Sequence, residues 1–171
     1  NQAPSGGKVY VLPGNYVESV VVTKPVKIYS DFERLGATTA IGQTKITSQN
    51  GDFSIAMRMD STGAVQKFTK QNMHISGFTI QGKNASNDMG AIDICPAPSF
   101  DWNNVNKQKG EVLISNIDFT NNTTQANNAS AFASRGNEVH TYFDNIKVRN
   151  SNIGVDPRGV LYFWQTKGGT F

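Results

Sequence analysis

An eight-residue pattern that occurs three times constrains the fold more than anything else in this chain. It reads Ile75-Ser-Gly-Phe-Thr-Ile-Gln-Gly82, Ile114-Ser-Asn-Ile-Asp-Phe-Thr-Asn121 and Phe143-Asp-Asn-Ile-Lys-Val-Arg-Asn150. The first, fourth and sixth places are large and apolar, the third and eighth are Gly or Asn, and the fifth and seventh are mostly polar. Gly and Asn turn a chain most readily through positive φ, and apolar residues two apart share one face of a strand. Each copy therefore predicts strand, sharp bend, strand. A unit of this kind repeated every few tens of residues marks a stacked solenoid, whose coils bury their apolar faces against one another. The copies start 39 and then 29 residues apart. Such uneven timing suits a parallel β-helix, where loops of any length leave the coil between strands. The alternative is three half-buried strands of an antiparallel sandwich. The expected fold is all-β, a right-handed parallel β-helix, with 1–171 as a single domain.

The charged fraction is 17%, and no segment spaces its apolar residues by threes and fours over a helical length, so little or no helix is expected. The net charge of +3 comes from scattered basic residues rather than a basic stripe with interleaved aromatics, which argues against a nucleic-acid partner. No apolar run approaches the ~20 residues that span a bilayer. The lone Cys95 excludes an internal disulfide and sits in an apolar run as a small buried hydrophobe. The chain opens on Asn1, as a processed protein or an excised piece would.

At the N-terminal end, Val9 and Val11 alternate with Tyr10 and Leu12 as a strand, closed by a turn at Pro13-Gly14. Short strands at Val20–Thr23 and Val26–Ser30 follow, separated by Lys24-Pro25. The whole stretch GGKVYVLPGNYVESVVVTKPVKIYSD, Gly6 to Asp31, resembles the opening coil of the pectin-lyase-like β-helix superfamily, which includes pectin methylesterases, pectate lyases, polygalacturonases, alginate-modifying enzymes and phage tailspikes. The likeness is close over these residues, and the three-copy pattern extends it across most of the remainder. It implies a polysaccharide partner and an extracellular or cell-surface setting. It describes the wall of a cylinder more than any activity.

Further strands are expected at Ile46, at Phe53–Met59 with Met57 in the core and Arg58 outward, at Ala91–Ile94 and at Val160–Trp164. The long stretch Cys95–Gly110 is expected to lie on the outer wall. At roughly 25 to 30 residues per coil and ~4.8 Å between coils, about six coils stack over about 30 Å. With no capping helix in view, the C-terminal end calls for further coils or a partner chain, and the segment is expected to be part of a longer helix.

Aligning the copies produces two outward columns, Thr79, Asp118, Lys147 and Gln81, Thr120, Arg149. Hydroxyls, amides and a few cations at strand spacing suit a polysaccharide groove, acidic sugars above all. A plain solvated strand face has the same composition. The glycan-binding candidates are Asp118, Lys147, Arg149, Thr79 and Trp102, the last as a ring platform in a loop. Asn84, Asn121, Asn122 and Asn128 begin Asn-x-Ser/Thr triplets, acceptors for N-glycosylation or coincidences in an Asn- and Thr-rich chain. Asn116 and Asn145 fall at successive corners, where stacked asparagines share side-chain hydrogen bonds.

No catalytic set is complete. Asp118 has no second carboxyl in its column, whereas glycoside hydrolysis needs a pair. The methylesterase motif Asp-Phe-Ile-Phe-Gly and the polygalacturonase motifs Asn-Thr-Asp and Gly-His-Gly are absent. Asp156-Pro157-Arg158-Gly159 departs from the alginate-epimerase motif Asp-Pro-His-Asp at both proton-transfer places. No His, Cys or carboxylate cluster has zinc spacing, and no cofactor is implied, although the sequence leaves room for a calcium site built from aspartates of neighbouring coils. Two functions fit: an extracellular carbohydrate-binding or polysaccharide-processing module, and a non-catalytic structural spike or adhesin segment.

Overall fold

The computed structural model describes residues 3–31, 35, 38–49, 53–58, 66–81, 90–95, 108–120, 130–135, 138–150, 161–164 and 168–171. They form an all-β structure in which every paired strand runs parallel to its neighbour. The strands are β1 (Lys8–Val11), β2 (Gly14–Val17), β3 (Val20–Val22), β4 (Lys27–Ser30), β5 (Thr44–Thr47), β6 (Ile55–Met57), β7 (Gln66–Phe68), β8 (His74–Ser76), β9 (Thr79–Gln81), β10 (Gly90–Ile94), β11 (Gln108–Thr120), β12 (Ser130–Arg135), β13 (Glu138–Arg149), β14 (Leu161–Trp164) and β15 (Gly169–Thr170), with one 3-10 helix at Thr38–Gln43.

Three ladders organise them. The first runs β1-β4-β8-β11-β13-β15, with β7 also on β11. The second runs β2-β5-β9 and continues into the C-terminal halves of β11 and β13. The third is a separate five-stranded sheet, β3-β6-β10-β12-β14. Read along the sequence, the chain visits first, second and third ladder in that order again and again.

Register fixes which side chains stack. Val9, Ile28, Ile75, Ile114 and Phe143 are successive partners in the first ladder. Tyr16, Ile46, Ile80, Phe119 and Val148 are successive partners in the second. Val20, Ile55, Ile92, Phe132 and Leu161 do the same in the third. The middle members of all three columns belong to one buried cluster. Each fully buried Ile or Phe contributes about 1.5 to 3 kcal/mol relative to exposure, so the columns carry most of the fold's stability. The three start residues of the repeated pattern thus lie one above another, as expected from the alignment of the copies. Towards the C-terminal layers the column turns aromatic: Phe132 meets Phe143 edge-on at 5.0 Å, and Phe171 stacks on Phe143 at 4.8 Å.

The bend between the first two ladders falls on the third place of each copy. Gly77, Asn116 and Asn145 all have positive φ, at 91°, 52° and 51°. Asn145 Nδ2 donates to Asn116 Oδ1 at 2.8 Å, and Asn116 Nδ2 donates to Ser76 Oγ at 3.2 Å. The expected asparagine stack is therefore present. Gly90, at the start of β10, is required for a different reason: a Cβ there would lie 2.4 Å from the backbone nitrogen of Ala133.

β1 ends at Val11 and the chain bends at Pro13, as expected, but Gly14–Val17 beyond the bend is a further strand, paired with β5. One expectation needs correction. Arg58 faces away from the core column yet is buried, because Asp93 and three backbone carbonyls hold its guanidinium. Met57 and Cys95 are buried as expected. Met59 lies outside the described residues, as do 96–107 and Asp156–Gly159. No helix among the described residues is long and apolar enough to cross a membrane.

Candidate functional site

In the second ladder Thr79 pairs with Asp118 and Asp118 with Lys147, while Thr120 pairs with Arg149. Since Ile80 and Phe119 point to the core, these alternating neighbours point away from it. The outer face is not bare. The 3-10 helix Thr38–Gln43, between β4 and β5, lies across it, and Thr79 Oγ1 donates to Ile41 O at 3.2 Å. Thr79 and Asp118 are consequently each only 8% exposed.

Beside that helix is a cleft of about 170 Å³ lined by Ile41, Gly42, Ile117, Asp118, Asn145, Lys147 and Arg149. Arg149, one step diagonal from Asp118, grips both carboxylate oxygens. Its Nε donates to Oδ1 at 3.1 Å and its Nη2 donates to Oδ2. The hydrogen bond donated to the Asp118 carboxylate and then the carboxylate's charge raise the Arg149 pKa, against an opposing effect of burial. Lys147, directly across from Asp118, is exposed and forms no ion pair among the described residues.

Four of the five glycan-binding candidates, Thr79, Asp118, Lys147 and Arg149, thus gather on one wall. The Asp118 carboxylate is held by Arg149 and lies beside the 3-10 helix, while still lining the cleft. What remains to face a ligand is cationic, Lys147 and the solvent side of Arg149, with the Ile41-Gly42 backbone as the opposite lip. Such a cleft can take a carboxylate or sulfate. Among the described residues it holds a single carboxyl, short of the pair that hydrolysis of a glycosidic bond requires. Trp102, Asn84, Asn121, Asn122 and Asn128 lie outside the described residues.

Comparison of the chain with family models, curated proteins and solved structures returns no match. Its function must therefore be argued from its own side chains.

Two polar clusters escape sequence reasoning. On the first ladder His74 Nδ1 lies 3.0 Å from Tyr29 Oη and Nε2 2.7 Å from Ser115 Oγ, which donates on to Ser76 Oγ at 2.8 Å. The aligned copies already stack Ser76 with Ser115, but Tyr29 lies outside them and His74 reaches Ser115 on the diagonal, which the alignment does not show. On the third ladder Asp93, fully buried, receives Arg58 Nη2 at 2.5 Å and Arg135 Nη2 at 3.1 Å. Nothing local announces that triad, because its members are separated by loops of unequal length. No group of three or more metal-ligating side chains occurs among the described residues.

Proposed function

We propose that this chain is a carbohydrate-binding module built on a right-handed parallel β-helix, with an acidic polysaccharide as its partner in an extracellular or cell-surface setting. The observation that carries the binding site is the register-locked cleft in which Asp118 orients Arg149 beside Lys147, which forms no ion pair among the described residues. The helical coil is supported by three parallel ladders visited in fixed order; its hand follows from the strong preference for right-handed crossovers between parallel strands. The opening-coil likeness to pectin-lyase-like proteins favours the same partner.

Binding is tested by titrating the folded chain with a uronate polymer, a sulfated polymer and a neutral glucan. The first two are expected to bind with saturation and to be weakened by salt, as exposed charge pairs are. Arg149→Ala is expected to lose that affinity while the chain stays folded, with a cooperative urea transition at a modestly lower midpoint. No saturable binding to any acidic glycan by the folded chain would set aside the cleft and leave the structural spike or adhesin segment as the better account.

A further inference from the structure

The first ladder carries, on its outer face, two stacked lysines that no carboxylate among the described residues neutralises. Lys8 pairs in register with Lys27, and Lys27 with His74. Like charges directly opposite on neighbouring strands destabilise a sheet. Among the described residues neither lysine forms an ion pair, and the three strands that carry this half of the ladder contain no carboxylate. Asp31 follows β4 but is buried, and within the described strands of this ladder acidic residues return in the later layers, where Glu138 takes Lys109 and Glu111 takes the Tyr142 hydroxyl.

Aromatic and hydroxyl groups run alongside. Tyr10, Tyr29 and Ser76 form the next column, two residues along each strand. Tyr10 is 47% exposed, and its ring lies 5.8 Å from that of Tyr29 at 50°. Tyr29 in turn stands edge-on to His74, fixed by the hydrogen bond to Nδ1.

We propose that this face is a second site, distinct from the Arg149 cleft, for an anionic polysaccharide laid along the stacked strands. Carboxylates or sulfates sit on Lys8 and Lys27, and sugar rings pack on Tyr10 with hydroxyls turned to the phenols. Charge complementarity names an anion, and the ring geometry names its carrier. A single-stranded nucleic acid stacks successive bases on a series of open flat faces, whereas Tyr29 is tilted 50° from Tyr10 and stands edge-on to His74, so this column offers one well-exposed ring, that of Tyr10. The ligand class rests on the function proposed above; the residues do not.

The test uses the whole chain with a uronate polymer, the same polymer methyl-esterified, and oligothymidylate. The double variant Lys8→Gln/Lys27→Gln is expected to lose about tenfold or more in affinity for the uronate polymer, the effect of removing two charge-assisted contacts. Its urea midpoint is expected to stay level or rise, since a like-charge pair is removed. Tyr10→Ala is expected to weaken binding while Tyr10→Trp retains it, and the esterified polymer is expected to bind weakly. Full affinity in the double variant, or loss of all affinity on Lys147→Gln alone, overturns the second site while the cleft stands. Oligothymidylate bound as tightly as the uronate polymer overturns the ligand assignment. Loss in the double variant with none in Lys147→Gln or Arg149→Ala supports this site and removes the cleft.

Discussion

Asn145 donates through its side-chain amide to Asn116 at 2.8 Å, and both residues hold the same left-handed backbone one layer apart. The side chain and the backbone conformation are one device. Asparagine tolerates positive φ, and at each corner its amide reaches the corner of the next layer, so the bend between the first and second ladders is repeated in register.

Asn116→Ala removes both parts. A Cβ-bearing residue in the left-handed region costs about 1 to 2 kcal/mol, and the lost hydrogen bonds add about 1 kcal/mol. The total destabilisation is expected to be about 2 to 3 kcal/mol. Asn116→Gly keeps the backbone and forfeits only the amide, so it should cost about 1 kcal/mol. Urea unfolding of the two variants reads the difference.

Asp93 is a second structural point. It is fully buried with Arg58 and Arg135 on its two oxygens. Asp93→Ala leaves two buried guanidinium groups without their carboxylate and is expected to cost about 3 to 5 kcal/mol, as breaking a buried ion pair does. Arg149→Ala, on an ion pair whose arginine is largely exposed while Asp118 is nearly buried, is expected to lower the unfolding midpoint far less than Asp93→Ala does. Denaturation curves of the two variants side by side check the contrast.

Tyr142 supplies a pH dependence. Its hydroxyl donates to Glu111 Oε1 at 3.1 Å; that hydrogen bond first, then burial, then the carboxylate charge raise its pKa above the ordinary 10.0. The folded state therefore holds the phenol proton more tightly than the unfolded state. The resulting stabilisation is fully present below pH 10.0 and is lost as pH rises through the folded value. Ultraviolet titration of the phenols should show a late-ionising step that disappears in Tyr142→Phe and moves down in Glu111→Gln.

The parts of this structure that were legible in the sequence are those the three-copy pattern touches. Ile75, Ile114 and Phe143 stack, and so do Thr79, Asp118 and Lys147, because a period-two strand on either side of a fixed corner leaves one register that buries the apolar set. Beyond the pattern, legibility fails for identifiable reasons. Gly14–Val17 was hidden behind the bend at Pro13, because a Pro-Gly pair that reads as a turn gives no sign that its glycine begins the next strand. The 3-10 helix that lies beside Asp118 has no periodicity of its own and is held by a backbone carbonyl, which no side-chain pattern records. The contact of Arg58 with Asp93 depends on how many residues each loop contains, and those lengths vary from layer to layer.

The most direct measurement is a methyl NOESY spectrum of the chain labelled at isoleucine δ1 positions, on a protein of 18.6 kDa. Ile28, Ile75 and Ile114 occupy three successive layers of one column. Cross-peaks are expected between Ile28 and Ile75 and between Ile75 and Ile114, with none, or a far weaker one, between Ile28 and Ile114. A missing Ile75–Ile114 contact, or an Ile28–Ile114 peak as strong as the other two, would contradict the stacked register on which both proposed binding faces are built.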